Sequence, residues 1–114
     1  MTLTLALSYG GKQEIFKAVK EISEKVKNGI ICLDNFDDSI INDHLYTKNL
    51  PDVDLLIRTS GEQRISNFLL WQIAYAELYF TETYWPDFSE EDFTDAIIEY
   101  QKRERRFGKT SKQL

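Results

Sequence analysis

The sequence predicts an α/β fold in which helices flank a parallel β-sheet. Three short apolar segments, at residues 2–8, 53–59 and 77–81, have the length and composition of buried strands. Between and after them, apolar residues recur at the spacing of amphipathic helices. Strands that alternate with helices pair in parallel through right-handed crossovers, so we expect these three strands to share one sheet.

The first half of the chain predicts one long helix and one short helix. The long helix begins at Lys12 and ends at Gly29, and its apolar residues recur at helical spacing. Those residues are Ile15, Ala18, Val19, Ile22 and Val26. A loop and a short helix follow within residues 35–48. The apolar stretch at residues 29–33 is predicted as a connector or a minor strand.

Two further helices are predicted in the second half. Ser66 is a suitable N-cap for a helix that runs to about Tyr75. Ser89 and Asp92 have the spacing of a capping box, which predicts that the last helix begins there. The apolar side of this last helix carries Phe93, Ala96, Ile97, Tyr100 and Phe107.

Length and composition indicate one small domain, residues 1–114, in a reducing compartment. Cys32 is the only cysteine, which excludes a disulfide framework. The longest apolar run, residues 68–80, contains Gln72 and Glu77 and is too short to span a membrane. The N-terminus lacks the basic leader of a signal peptide. We therefore expect a cytoplasmic location, with at most peripheral association at the inner face of the membrane.

Charge is distributed unevenly along the chain. The net charge of −5 argues against general binding of nucleic acids. Residues 1–100 carry 8 cations and 18 anions, whereas residues 101–114 carry 6 cations and 1 anion. A basic C-terminus of this kind is common where a helix ends in solvent, because cations complement the helix dipole. Contact with phosphate groups is the other interpretation.

Two loops are predicted to meet at the carboxyl edge of the sheet, where parallel α/β sheets bind ligands. Residues 9–11, Tyr-Gly-Gly, follow the first strand, and residues 58–61, Arg-Thr-Ser-Gly, follow the second. Because the carboxyl ends of parallel strands lie along one edge, we expect these two loops to be neighbours in space.

The loop after the second predicted strand has the chemistry of a diphosphate site. Arg58 and Arg64 offer two forked cations, and Ser66 would open a helix whose free N–H groups favour an anion. The alternative is that the arginines form structural ion pairs with Glu62 or Asp54. No Walker pattern and no GxGxxG motif is present, so the sequence does not indicate a standard nucleotide site.

Glu77 is a carboxylate within an apolar run, where an ionised group is costly unless it is paired or binds a metal. Glu77 could form a salt bridge with an arginine, or it could be partly exposed at the start of a strand. It could equally well serve as a hard oxygen ligand of a Mg²⁺ ion that also binds substrate phosphates.

Taken together, these residues carry a long signature. RTSGEQRISNFLLWQ at residues 58–72, ELYF at 77–80 and WP at 85–86 resemble the C-terminal signature of the cis-prenyltransferases, most closely the bacterial undecaprenyl diphosphate synthases. The glycine turn at residues 9–11 and the Arg-Phe-Gly at 106–108 also match positions of that family. The resemblance runs over essentially the whole chain.

The resemblance implies repeated addition of isopentenyl diphosphate to an allylic diphosphate such as farnesyl diphosphate, with Mg²⁺. The product would be the polyprenyl lipid carrier used in cell-wall synthesis. By resemblance, the isopentenyl diphosphate is held by Arg58, Arg64, Ser66, Arg106 and Gly108. Glu77 corresponds to the carboxylate that helps to hold Mg²⁺. The Arg-Phe-Gly motif is expected to reach the active site of the partner subunit in a homodimer.

Two departures from the family qualify what the resemblance implies. Gln63 stands where many bacterial members carry a histidine, and glutamine cannot titrate. The family's Asp-Gly-Asn-Gly-Arg loop, which supplies the catalytic aspartate, is absent, so no catalytic residue is assigned. We therefore interpret the chain as the C-terminal half of such an enzyme, inactive alone. A non-catalytic partner subunit and an unrelated small anion-binding α/β module are the alternatives.

Overall fold

The computed structural model describes all 114 residues, which divide into two compact units. The first unit comprises Met1–Pro51 and Asn67–Trp71. The second comprises Asp52–Ser66 and Gln72–Leu114. No helix combines the length and the apolarity that crossing a membrane requires. The expectation that residues 1–114 form a single domain stays a prediction.

The first unit is helical. Helix α1, Gly11–Lys27, contacts the short helix α2, Asp38–Asn42, whose N-cap Asp37 accepts a hydrogen bond from the amide of Ser39. Both helices were predicted, and Gly29 follows α1 with a positive φ of 74°. The residues between the helices form a 3₁₀ turn, Leu33–Asn35, rather than a strand. Ala18, Ile22 and Leu45 are the buried apolar residues of this unit.

The second unit contains the sheet. Strand β1, Leu55–Arg58, pairs in parallel with strand β2, Glu77–Phe80. The pairing places Leu55 opposite Glu77 and Arg58 opposite Phe80. This confirms the parallel arrangement predicted for residues 53–59 and 77–81. It also confirms the α/β class, because helix α3, Glu90–Lys102, contacts β2.

Helix α3 begins as its sequence predicts. The Ser89 side chain accepts a hydrogen bond from the Asp92 amide, and the Asp92 side chain accepts from the Ser89 amide. This reciprocal capping box satisfies two N–H groups that would otherwise lack partners. Three acidic residues in the first turn and Lys102 in the last complement the helix dipole. Ala96 is fully buried, and a short 3₁₀ turn, Trp85–Asp87, precedes the helix.

The prediction of a third strand at residues 2–8 was wrong. No sheet ladder involves these residues, and Leu3, Leu5 and Leu7 are 81%, 75% and 83% exposed. Ser8 has a positive φ of 52°, which a regular strand does not tolerate. An apolar segment becomes a strand only where a neighbouring strand supplies partners for its backbone groups. This segment has none in the sheet formed by β1 and β2.

The prediction of a helix from Ser66 to Tyr75 was also wrong, since these residues form turns. Ser66, Asn67 and Leu69 have φ values of 48°, 62° and 48°, all in the left-handed region. A right-handed helix cannot pass through residues in that region. Asn67 accepts hydrogen bonds from the amides of Gly11 and Lys12. These tertiary contacts override the local propensity of residues 66–75 for a helix.

Candidate functional site

Arg58 ends β1 and lines a cavity of about 660 Å³ in the second unit. Its carbonyl oxygen accepts a hydrogen bond of 2.9 Å from the Thr81 amide, which fixes its backbone. The side chain is half-buried and belongs to none of the ion pairs of the structure. The cavity is otherwise lined by Ile57, Thr59, Ser60, Trp85, Phe88, Ser89, Glu90 and Phe93. The lining thus combines three aromatic side chains with one cation, Arg58, and one carboxylate, Glu90, so an anionic head group would have to bind on the Arg58 side of the cavity.

The loop after β1 is tied to the chain that follows β2. The amides of Ser60 and Gly61 donate hydrogen bonds of 2.9 Å to the carbonyl oxygens of Thr83 and Thr81. Both donors have positive φ, 70° and 69°, so the chain turns sharply just after Arg58. The position of this turn is therefore set by the sheet and not by the loop alone.

Arg64 forms an ion pair with Glu62, one of the two partners that the sequence suggested. The Arg64 side chain is 63% exposed and that of Glu62 39%. An exposed pair of this kind contributes at most about 1 kcal/mol, so an anion could draw Arg64 away from Glu62 at little cost. Arg64 thus forms the structural ion pair that the sequence offered as the alternative to anion binding. Arg58, in contrast, has no ion-pair partner.

Ser66 lies in the same segment as Arg58 and Arg64, but it is not a helix N-cap. It is exposed, with φ of 48°, and no helix begins there. No helix N-terminus therefore lies beside the two arginines. The prediction that its free N–H groups help to bind an anion was wrong. No hydrogen bond joins the side chains of the three residues, so their convergence on one diphosphate stays a prediction.

Asn67 instead caps helix α1 in the first unit. Its carbonyl oxygen accepts a hydrogen bond of 2.6 Å from the Gly11 amide, and its side-chain Oδ1 accepts one of 2.8 Å from the Lys12 amide. A Cβ on Gly11 would lie 2.8 Å from Leu70 Cγ and 3.1 Å from the Asn67 carbonyl oxygen, so a larger residue would require these neighbours to shift. The first N–H groups of α1 are thereby occupied. The predicted proximity of this glycine turn to the arginine loop stays untested, because the two lie in different units.

Glu14 anchors the chain on both sides of the glycine turn. Its side chain is 2% exposed. One carboxylate oxygen accepts a hydrogen bond of 2.5 Å from the Tyr9 hydroxyl, and the other accepts one of 2.7 Å from the Tyr46 amide. Burial, followed by the hydrogen bond to this carboxylate and its charge, raises the pKa of Tyr9 well above its usual value. No local pattern in the sequence indicates this buried contact.

The raised pKa of Tyr9 makes stability depend on alkaline pH. Tyr9 stays protonated in the folded state at pH values where it ionises in the unfolded state, so its contribution is complete below pH ~10 and declines as the pH rises further. We expect the free energy of unfolding of the Tyr9→Phe variant to depend less on pH above 10 than that of the parent chain. Urea denaturation from pH 8 to 11 measures this. Tyr84→Phe, at an exposed tyrosine, is the control, and identical slopes for all three proteins would contradict the assignment.

Glu77 begins β2 and forms a salt bridge with Arg103. Arg103 Nη1 donates to Glu77 Oε2 at 3.1 Å and to the Leu78 carbonyl oxygen at 2.7 Å. Arg103 Nη2 donates to Glu99 at 2.6 Å. The salt bridge anticipated as one alternative is thus present. No group of three or more His, Cys, Asp or Glu side chains comes together in the structure, and magnesium binding by Glu77 stays a prediction.

Residues 103–108 form what we call the C-terminal arm, which follows α3. Arg105, like Arg103, contacts the sheet: its Nη1 donates to Asp54 Oδ1 at 2.5 Å, immediately before β1. Arg106 is exposed and pairs with Glu104 at 2.9 Å. Gly108 has φ of 75° and lies beside Tyr75, since a Cβ built on it would be 3.8 Å from Tyr75 Cε1. The arm therefore lies at the amino-terminal ends of both strands.

The predicted site residues consequently fall at opposite ends of the second unit. Arg58 lies at the carboxyl end of β1, in the cavity beside Ser89 and the start of α3. Helix α3 is 13 residues long, and the arm begins where this helix ends. A helix of that length spans about 20 Å. Arg58 and the arm also lie at opposite ends of β1, so nothing in one chain brings Arg58 and Arg106 together.

Comparison with known proteins supplies the relatives of this chain. Residues 1–108 match the model of a prenyltransferase family described as undecaprenyl diphosphate synthase. The chain is 56% identical over 108 residues to the ditrans,polycis-undecaprenyl-diphosphate synthase, (2E,6E)-farnesyl-diphosphate specific, of Pasteurella multocida, covering 95% of this chain and 45% of that protein. It is 54% identical over 108 residues to the isoprenyl transferase of Clostridium perfringens, covering 95% and 43%.

A solved structure agrees with these relatives. The crystal structure of lavandulyl diphosphate synthase from Lavandula x intermedia, in complex with dimethylallyl diphosphate, is similar with a TM-score of 0.85 and 45% identity. The match covers 91% of this chain and 45% of that one. The chain thus spans less than half the length of the relatives it matches.

Proposed function

Because this chain belongs to the undecaprenyl diphosphate synthase family of prenyltransferases, we propose that it is the part of a cis-prenyltransferase that binds isopentenyl diphosphate. The whole enzyme would add isopentenyl diphosphate units to an allylic diphosphate such as farnesyl diphosphate. The relative from Pasteurella multocida, whose name specifies farnesyl diphosphate, supports this choice of allylic substrate. The chain alone would be inactive.

One observation carries the proposal further. Arg58 lies near the start of α3 and the C-terminal arm begins at its end, and a 13-residue helix spans about 20 Å. Nothing in one chain brings the two together, so a shared isopentenyl diphosphate favours contributions from different copies of the chain. We therefore propose a homodimer in which the arm of each protomer, through Arg106 and Gly108, completes the site that contains Arg58 of its partner.

Within that site, each residue has a distinct role. Arg58, which has no ion-pair partner, supplies a forked cation that binds two diphosphate oxygens. Arg64 leaves Glu62 to add a second cation, and Ser66 adds a hydroxyl. Trp85, Phe88 and Phe93 in the cavity beside Arg58 would contact the short apolar part of the substrate. Magnesium binding by Glu77 stays a prediction, and no step here runs through it.

Retention of the arginine and serine residues favours this function over that of a non-catalytic partner subunit. A subunit that only holds its partner would not need an unpaired, half-buried arginine at a cavity rim, since such a cation gains nothing from the fold. The length of the signature and the family match over residues 1–108 disfavour an unrelated anion-binding module.

Binding of inorganic pyrophosphate to the chain tests the anion site without catalysis. We expect calorimetry to detect binding that weakens about 10-fold in Arg58→Gln, because a hydrogen bond to a charged group is worth about 1.5–3 kcal/mol. Lys20→Gln removes the same charge from an exposed site on α1 and should leave the affinity unchanged. Equal affinities for all three proteins would mean that Arg58 does not bind the anion.

A further inference from the structure

Arg105 joins the C-terminal arm to three other parts of the second unit. Its Nη1 donates to Asp54 Oδ1 at 2.5 Å, just before β1, and lies 3.4 Å from the Tyr100 hydroxyl on α3. Its Nη2 donates to the Tyr75 carbonyl oxygen at 3.1 Å, two residues before β2. The side chain is 22% exposed. Arg105 thus contacts the segments that precede both strands as well as helix α3, and Arg103 adds contacts to β2 and α3.

The residues that follow Arg105 adopt a turn that is unfavourable in isolation. Phe107 and Gly108 both have positive φ, 48° and 75°, and the Lys109 amide donates to the Arg106 carbonyl oxygen at 2.8 Å. This is the pattern of a turn with two left-handed central residues. Glycine adopts that conformation freely, whereas a bulky side chain such as that of Phe107 does so rarely and needs its surroundings to hold it there.

Arg105 provides those surroundings. Its guanidinium carbon lies 4.5 Å from the centre of the Phe107 ring, a stacking distance for a cation on an aromatic face. The Phe107 ring also lies 6.0 Å from the ring of Tyr75, whose carbonyl oxygen Arg105 binds. One side chain therefore fixes the arm to the sheet and holds the aromatic residue of the turn.

We propose that Arg105 is a positioning residue that preforms the turn at residues 106–109, so that Arg106 and Gly108 are held ready for the diphosphate. This rests on the proposed function of the arm. Arg105 itself is turned toward the protein and binds carboxylate, carbonyl and ring, so it does not contact the substrate. A planar, forked guanidinium is required for these simultaneous contacts, which a lysine ammonium cannot reproduce.

The first test is independent of catalysis and uses the chain itself. In Arg105→Lys, hydrogen exchange at the Lys109 amide, which closes the turn, should become about 10-fold faster, because the contacts that hold the turn are lost. Amides of α3 should exchange as before, which separates loosening of the arm from global unfolding. Lys112→Gln, an exposed cation beyond the arm, is the control. Asp54→Asn, which weakens the same contact from the other side, should act in the same direction.

The second test uses the chain restored to full length with the N-terminal half of a relative. We expect Arg105→Lys to raise KM for isopentenyl diphosphate about 10-fold, with KM for farnesyl diphosphate unchanged. Unchanged exchange at Lys109 in both Arg105→Lys and Asp54→Asn would overturn the proposal, whatever the kinetics. An unchanged KM in Arg105→Lys while Arg106→Ala raises it would also overturn it. If Arg106→Ala has no effect either, the proposed function of the arm is what fails, and the positioning proposal falls with it.

Discussion

Incubated with farnesyl diphosphate, isopentenyl diphosphate and Mg²⁺, the 114-residue chain is expected to form no elongated product. The chain covers 45% of its relative from Pasteurella multocida. It contains no Asp-Gly-Asn-Gly-Arg loop, the segment that the family resemblance assigns to the allylic diphosphate. If the chain offers no site for the allylic substrate, isopentenyl diphosphate bound to it would have no reaction partner.

Restoring the missing part should reverse this result. The same 114 residues, joined to the N-terminal half of the Pasteurella multocida relative, should incorporate radiolabelled isopentenyl diphosphate into polyprenyl product. The N-terminal half alone is the matched control and should be inactive. Incorporation by the 114-residue chain by itself would show that the catalytic residues have been assigned to the wrong part of the enzyme.

In the restored enzyme, Arg58→Ala is expected to raise KM for isopentenyl diphosphate by about 10- to 100-fold, since each lost hydrogen bond to a charged group is worth about 1.5–3 kcal/mol. The effect should exceed that of Arg64→Ala, because Arg64 must first leave Glu62, whereas Arg58 has no ion pair to break. KM for farnesyl diphosphate should change little in either variant.

Steady-state kinetics with one diphosphate varied and the other saturating measure these effects. Lys20→Ala, at an exposed cation on α1, is the control for loss of positive charge. If KM and kcat were unchanged in Arg58→Ala, the arginine would be structural and the isopentenyl diphosphate site would lie elsewhere.

Elements defined by local chemistry were the ones that sequence could predict. The capping box of Ser89 and Asp92 and the apolar spacing of α1 act within a few residues, so their patterns are legible in the chain. The strand at 2–8 and the helix from Ser66 depended on partners elsewhere. The first has no strand to pair with, and Asn67, beside Ser66, is committed to capping α1.

The candidate site shows the same division. The position of Arg58 at a strand end was predicted from the sequence. The salt bridge of Glu99 with Arg103, four residues later, has a spacing that is legible in the sequence, although Arg103 was not singled out. The pair of Asp54 and Arg105 joins residues 51 positions apart, and no local pattern indicates it. The placement of Arg58 and the arm at opposite ends of α3 likewise depends on how the helix packs on the sheet.

Mixing two impaired variants of the restored enzyme, assayed at an isopentenyl diphosphate concentration well below the KM of either, tests most directly whether each site combines residues of two protomers. One variant carries Arg58→Ala and the other carries Arg106→Ala, and the two are mixed under conditions that exchange subunits. In a mixed dimer, one site would receive both substitutions and the other neither. We predict recovered activity that approaches half of the unsubstituted level per mixed dimer. If light scattering and tag capture confirm mixed dimers but activity stays at the level of the separate variants, the two residues do not form one site across protomers, and the account is contradicted.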